Sequence, residues 1–251
     1  MQNVTLEICA GSYDSALAAL KGGADRVELC SALGEGGLTP SLGLVRAVVA
    51  LPGLRKHVLI RPRGGDFLYS EEELQIMVDD IHIVRSEGVD GVVLGALTAD
   101  GNIDICAMKH LMQAAGDMDV TFHRAFDLCR NPDEALEQII DLGCSRLLTS
   151  GQASSAAEGI DLLSHLVELS AGRIIIMPGC GVDVGNAVDI ISATDAREIH
   201  ASARDSFSSK MNFRHAGVSM GKAGNDEYVR LETSEGLVAR LKEVLMRFYS
   251  N

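Results

Sequence analysis

The chain has 251 residues, 47% of them hydrophobic but only 4% aromatic and none Trp, so its core must be built from Val, Ile, Leu, Ala and Met. Its 35 acidic against 22 basic residues leave a net charge of −13; such a surface argues against nucleic-acid and membrane partners, while a local basic cluster can still hold a small anion. The opening MQNVTLEICAGSYDSA has no basic leader or long apolar run, and six cysteines without a CxxC spacing predict reduced thiols in a cytoplasmic protein.

Short β-rich runs alternate with helical patterns from end to end. A strand is expected over residues 4–9 and a helix over 12–21. Strand and helix pairs follow at 26–31 and 41–50, 57–61 and 71–87, 91–97 and 105–115, and 120–124 and 132–142. The remaining pairs fall at 146–150 and 156–170, 173–178 and 185–192, and 198–203 and 234–249. Gly22, Gly23, Gly88, Gly116 and Gly143 each follow a helical stretch, as helix C-termini favour. Thr39 and Pro40 resemble an N-cap with Pro in the first turn. The helix-to-strand turns GGADRVEL, EGVDGVVL, LGCSRLLT and TDAREIH read alike.

Eight βα units in about 250 residues predict a single-domain α/β fold, a (β/α)8 TIM barrel over 1–251. A doubly wound open sheet shows the same alternation, but no GxGxxG follows the first strand. The long polar loop 205–232 departs from an ideal barrel. It is either a lid, binding loop or interface arm, or an ordered excursion with no ligand role.

Strand residues alternate faces, and the apolar face must meet the surrounding helices. Glu7 and Cys9 of the first strand, Arg26, Glu28 and Cys30 of the second, and Glu198, His200 and Ser202 of the eighth are therefore expected in the lumen. Arg61 and Arg63, His123 and Arg124, and Thr149 and Ser150 end or follow other strands, at the C-terminal mouth where barrel sites are built. So many buried ionisable groups are costly unless paired. They form either a structural network among Glu7, Glu28, Arg61 and Arg124 or a functional site.

Cys9 and Cys30 end adjacent strands at matching positions, each two residues after an inward Glu. A Cys on a strand is either a small buried hydrophobe or, paired at the ~4.8 Å strand spacing, half of a soft-metal site suited to Cu(I). Cys106, Cys129, Cys144 and Cys180 fall in helix or loop contexts. The loop holding Gly179 and Gly181 precedes a helix start and, with Ser202 and Arg204, suits a phosphate or other anion, or is only a tight turn.

The strings RVELCSALGEGGLTPSLG, IRPRGGDFLYS, VTFHRAFD, RLLTSG and MPGCGV resemble the CutC family, a likeness that runs from Glu7 to the region of Arg214, Ser219 and Met220. The resemblance implies a (β/α)8 barrel, a homo-oligomer (dimer or tetramer) and a role in cytosolic copper handling, with Cu(I) ligated by Cys9 and Cys30. At Cys180 the family often has Gly; here it adds a third thiol or does nothing.

Two functions remain open. One is a metal-binding protein taking Cu(I) on Cys9 and Cys30, with Arg61 lowering the thiol pKa. The other is an enzyme acting on a small anionic or phosphorylated metabolite. There Arg61, Arg63, Arg124, Ser150, Ser202, Arg204 and the Gly179–Gly181 loop would hold the anion. Glu7, Glu28, His123 or His200 would supply acid–base chemistry, with Asp66 or Asp127 orienting an imidazole.

Overall fold

The computed structural model describes residues 4–215, 217, 218, 220 and 226–248. Eight parallel strands carry the fold: β1 (Thr5–Ala10), β2 (Arg26–Leu29), β3 (Arg55–Leu59), β4 (Gly91–Leu94), β5 (Asp119–Phe122), β6 (Arg146–Thr149), β7 (Ile175–Pro178) and β8 (Glu198–Ala201). Their order, β7-β6-β5-β4-β3-β2-β1-β8, makes a nearly closed barrel in one domain. Strand β8 pairs with β1, while β7 and β8 touch across a seam without a ladder. The helices between strands are α1 (Tyr13–Lys21), α2 (Leu42–Val49), α3 (Glu71–Ser86), α4 (Ile105–Ala115), α5 (Pro132–Asp141), α6 (Ile160–Ser170) and α7 (Ala187–Thr194), with α8 (Glu235–Phe248) closing the described chain.

Local chemistry sets the helix starts. Ser12, Ser41, Ser70, Asp104 and Asn131 each accept a first-turn N–H, and Ser70 with Glu73 forms a reciprocal capping box. The cap of α2 is therefore Ser41, not Thr39. Thr39 instead exchanges hydrogen bonds with the Arg61 backbone at 3.0 and 3.2 Å, tying the β2–α2 loop to the end of β3. Helix α6 starts at Ile160 rather than 156, because Ser150 Oγ donates to the Ala153 carbonyl and holds the preceding residues in turns. Strands β3 and β5 stop at Leu59 and Phe122, which leaves Arg61 and His123 in the loops above.

Alternation divides the barrel into two apolar regions. Leu6, Ile8, Val27, Val58, Val92, Leu147 and Ile199 face outward into the aliphatic core beneath the helices. Cys9, Cys30, Leu59 and Val93 form a separate small cluster inside the barrel, at its mouth. Part of the expected loop 205–232 is a hairpin of β9 (Arg204–Ser208) and β10 (Val229–Thr233); residues 216, 219 and 221–225 lie outside the described residues. The hairpin base is stapled to the barrel. Thr233 Oγ1 donates to the Ser202 carbonyl at 3.3 Å and the Cys9 carbonyl at 3.5 Å, and Ser12 and Ser15 both donate to Glu232. No described helix is long and apolar enough to cross a membrane.

Candidate functional site

The lumen is polar from base to mouth. Near the base, buried Arg26 donates to both Glu7 and Glu198, while Arg146 Nε donates to Glu198 at 3.2 Å and its Nη1 lies 3.5 Å from Asp119. His57 stands between Glu7 (4.0 Å) and Asp119 (3.8 Å). An ion-pair network thus fills this part of the lumen, and its cations are Arg26 and Arg146 rather than the Arg61 and Arg124 of the structural alternative. A β2–β3 register that aligns Glu28 with His57, and closure of β8 onto β1, bring these groups together.

One step toward the mouth, His200 Nδ1 lies 2.8 Å from Glu7 Oε1, and its Nε2 lies 3.7 Å from Glu28 Oε2. Cys9 Sγ lies 3.5 Å from Cys30 Sγ. Donor atoms of Cys9, Glu28 and His200 all fall within 4.8 Å of one another, the one such group of three or more metal-ligating side chains among the described residues. Cys9 therefore belongs to two donor sets, the thiol pair and the Cys–Glu–His cluster. Glu7 behind His200 fixes the ring and leaves Nε2 toward the cluster, the arrangement by which a carboxylate tunes a ligating imidazole.

The charge states follow from burial and partners. Burial alone would raise the Glu7 carboxyl, but Arg26 and the His200 bond bring it well below the usual carboxylate range. Glu28 lacks such a partner: burial and neighbouring Glu7 push it up against the opposing pull of His200. Burial disfavours charge on His200 too, yet its bonds to Cys9 and Glu7 and the Glu28 charge raise it well above an ordinary histidine. The Cys9 thiol is pushed up by its contact with Cys30 and by burial, so the expected lowering by Arg61 is corrected.

Above these groups opens a cavity of about 250 Å³, lined by Cys9, Glu28, Cys30, His200 and, farther out, Arg61, His123, Arg124, Gly181, Ser202 and Arg204. Several of these are already engaged. Arg61 donates to the carbonyls of Glu35, Gly37 and Gly65, closing the loops around the mouth. Arg124 pairs with Asp127 and donates to Ser150 Oγ at 3.0 Å. Asp127 caps the β6 loop through Thr149, Ser150 and Gln152 and orients no imidazole. Asp66 pairs with Arg63, which also holds Glu73, and neither lines the cavity. Glu7 is the group that orients an imidazole. His123 accepts from the Ala125 N–H at 3.2 Å, and burial with nearby Arg61 lowers it to about 3. Both effects favour the neutral ring.

The β7–α7 loop is strained where it meets the cavity: Cys180 has φ +85° and Gly181 φ +69°. The Cys180 thiol donates to the Ser154 carbonyl at 3.3 Å, outside the Cys–Glu–His cluster. Gly179 is required by packing, since a Cβ there would lie 2.5 Å from Leu148 Cδ1 and 3.1 Å from His200 Cβ.

The model of the CutC family matches residues 4–205, which holds every strand of the barrel and the whole cluster. The chain belongs to the CutC family. A CutC family protein of Chromobacterium violaceum is 54% identical over 240 residues, 96% of this chain and 97% of that one. One from Bacteroides thetaiotaomicron is 52% identical over 236 residues, 93% and 95% of the two chains. The crystal structure of the putative copper homeostasis protein CutC from Streptococcus agalactiae superposes with a TM-score of 0.76 at 34% identity, over 78% of this chain and 97% of that one. Phosphoribosyl anthranilate isomerase from Thermotoga maritima, 12% identical with a TM-score of 0.57, over 97% of this chain and 99% of that one, shares the barrel fold alone.

Within this CutC chain, Cys9, Glu28, Cys30 and His200 meet at one point, as their alternation predicts. His57, Asp119 and Arg146 were not anticipated. Each sits at or near a strand start where sequence alternation alone does not say which side chain crosses the lumen to meet it.

Proposed function

We propose that this chain is a cytoplasmic copper-homeostasis protein that takes up Cu(I) at the barrel mouth, with Cys9 and Cys30 as thiolate ligands and His200 and Glu28 as donors beside them. The 3.5 Å approach of the two sulfurs carries the reading. Thiolate and imidazole donors suit a soft, low-coordinate ion, and the copper role named for the Streptococcus agalactiae relative supports the choice. Each bound ligand must give up its proton, so uptake of Cu(I) releases protons. An anaerobic titration against a calibrated Cu(I) chelator tests this. One tight equivalent is expected, and it is lost in the Cys9→Ser/Cys30→Ser variant while the circular dichroism is unchanged. Binding indifferent to the double substitution would make the thiols core residues and end the reading.

The homo-oligomer implied by the family, dimer or tetramer, would draw on the hairpin, where Phe207, Met211, Phe213 and Leu231 are exposed.

A second reading, an enzyme acting on a small anionic or phosphorylated metabolite, is favoured by one observation: Glu28 and His200, the latter backed by buried Glu7, open on a cavity shared with Arg204, Gly181 and Ser202. Thermal stabilisation by a phosphorylated metabolite at millimolar concentration is its expected sign. A broad screen without a hit, together with no ordered sulfate at the mouth of crystals grown from sulfate, removes it.

A further inference from the structure

Ligation is not the only chemistry open to Cys9 and Cys30. Their sulfurs approach to 3.5 Å, on or just beyond adjacent strands, inside the wall of an open cavity. Cys9 retains 7% of its surface and Cys30 none, so the two thiols are unequal, Cys9 being the more accessible. Cys30 is lightly held, with a 3.7 Å contact to the Ala10 carbonyl besides Cys9. It lies one residue past the end of β2, before the single bridge between Ser31 and Leu38. A disulfide needs sulfurs about 2.05 Å apart. Cys9 pairs with Glu28, so Cys30 is offset by two residues rather than standing at the matching position, and closing the remaining ~1.5 Å takes side-chain rotation together with a shift of the chain at Cys30, past the end of β2.

Of the other thiols, only Cys180 lines the same cavity. Cys106 is exposed on outer helix α4, Cys129 is buried under Gln152, Cys144 is buried against Met112, and Cys180 faces Ser154.

We infer that Cys9 and Cys30 form a reversible disulfide under a peroxide or a low-molecular-weight disulfide, and that only the dithiol takes up Cu(I). The second half rests on the metal reading above; the first does not. With hydrogen peroxide, the Cys9 sulfur takes one oxygen as the O–O bond breaks, giving a sulfenic acid and one water. The Cys30 sulfur then attacks the Cys9 sulfur. The S–S bond forms, and the displaced hydroxyl leaves with the Cys30 proton as a second water. Two thiols lose two electrons and the peroxide gains them. With oxidised glutathione, the same bond forms by two exchanges that release two reduced glutathiones. A disulfide offers no thiolate, so both sulfur ligands leave the donor set together.

The test treats the reduced full chain with one equivalent of hydrogen peroxide or excess oxidised glutathione. Alkylation in denaturant and peptide mapping follow, with Cu(I) competition before and after. A peptide linking residues 9 and 30, cleaved by dithiothreitol, is expected. Cu(I) affinity should fall at least a hundredfold on oxidation and return on reduction. If Cys9 and Cys30 are fully alkylated while Cys106 or Cys180 is oxidised, the disulfide is overturned. If the linked protein binds Cu(I) as tightly as the reduced one, the gating is overturned. If the link forms in a protein that binds no Cu(I) even when reduced, the redox pair stands while the gating and the metal reading both fall.

Discussion

Arg26 shows what a single residue does in this lumen. Buried between Glu7 and Glu198, it sets one positive charge between two buried carboxylates. Removing one partner of such a group leaves charge uncompensated, at a cost of roughly 3–5 kcal/mol. Arg26→Met is therefore expected to lower the unfolding free energy by that margin, read as a lower urea midpoint, and adding Glu198→Gln should recover part of it. The buried histidines set the acid response. Burial lowers His57 and His123 to about 3, far below the ~6.5 of an unfolded histidine. The unfolded chain binds those protons more readily, so stability falls as pH drops from about 6.5 toward 3, by at most about 1.4 kcal/mol per pH unit for each ring. His200 acts oppositely: its raised pKa contributes stability that is full below about 6.5 and lost as pH rises through the folded value. Urea midpoints at pH 7 and pH 5 check this. The lower value is expected at pH 5, with a smaller difference in His123→Asn; equal midpoints would refute it. Glu7, Cys9, Glu28, Cys30 and His200 were legible because alternation alone places them inward. Arg61 and Arg124 line the mouth cavity, but the sequence does not tell that their donors close loops through carbonyls and a carboxylate, since an arginine after a strand looks the same either way.

Small residues on one strand make room for large ones on the next. Gly91 opposes His57, and a Cβ there would lie 2.8 Å from His57 Nε2; Gly95 stands in the same relation to His123. Gly179→Ala should press on Leu148 and His200, destabilise the fold by about 1–3 kcal/mol and weaken Cu(I) binding more than a surface change of equal cost. Its loop neighbour predicts the reverse. Cys180 holds a left-handed φ that costs a non-glycine residue of order 1–3 kcal/mol. Cys180→Gly should raise the melting temperature and leave Cu(I) affinity unchanged; a lost copper equivalent would make Cys180 a ligand. Periodicity and turn chemistry read all eight strands and their helices, with boundaries off by a few residues. The hairpin went unread because β9 is polar, exposed throughout and without apolar alternation, and the short alternation of Val229 and Leu231 in β10 had no partner strand to read it against.

Across the whole molecule, the fold and the candidate site depend on one closure. Strand β8 pairs with β1 and in doing so sets His200 against Glu7 and the cluster. On the proposed copper reading, proton competition would make uptake a property of the assembled site: affinity should fall as pH falls, because the Cys9 thiol and the His200 imidazolium would both have to surrender protons. Chelator competition between pH 6 and pH 8 should show that slope, and a flat profile would place the ion elsewhere. Light scattering should find more than one copy per particle, fewer after Phe213→Ser with Leu231→Ser on the hairpin.

The order of these ligands along the chain has a consequence for biosynthesis. Cys9 and Cys30 come from the first βαβ unit, whereas His200 lies on the last barrel strand. A ribosome adding about 5–20 residues per second delivers the imidazole roughly ten seconds or more after the second thiol. For that interval the nascent thiol pair has no barrel around it, and the first metal ion or oxidant it meets can decide the form in which the barrel closes.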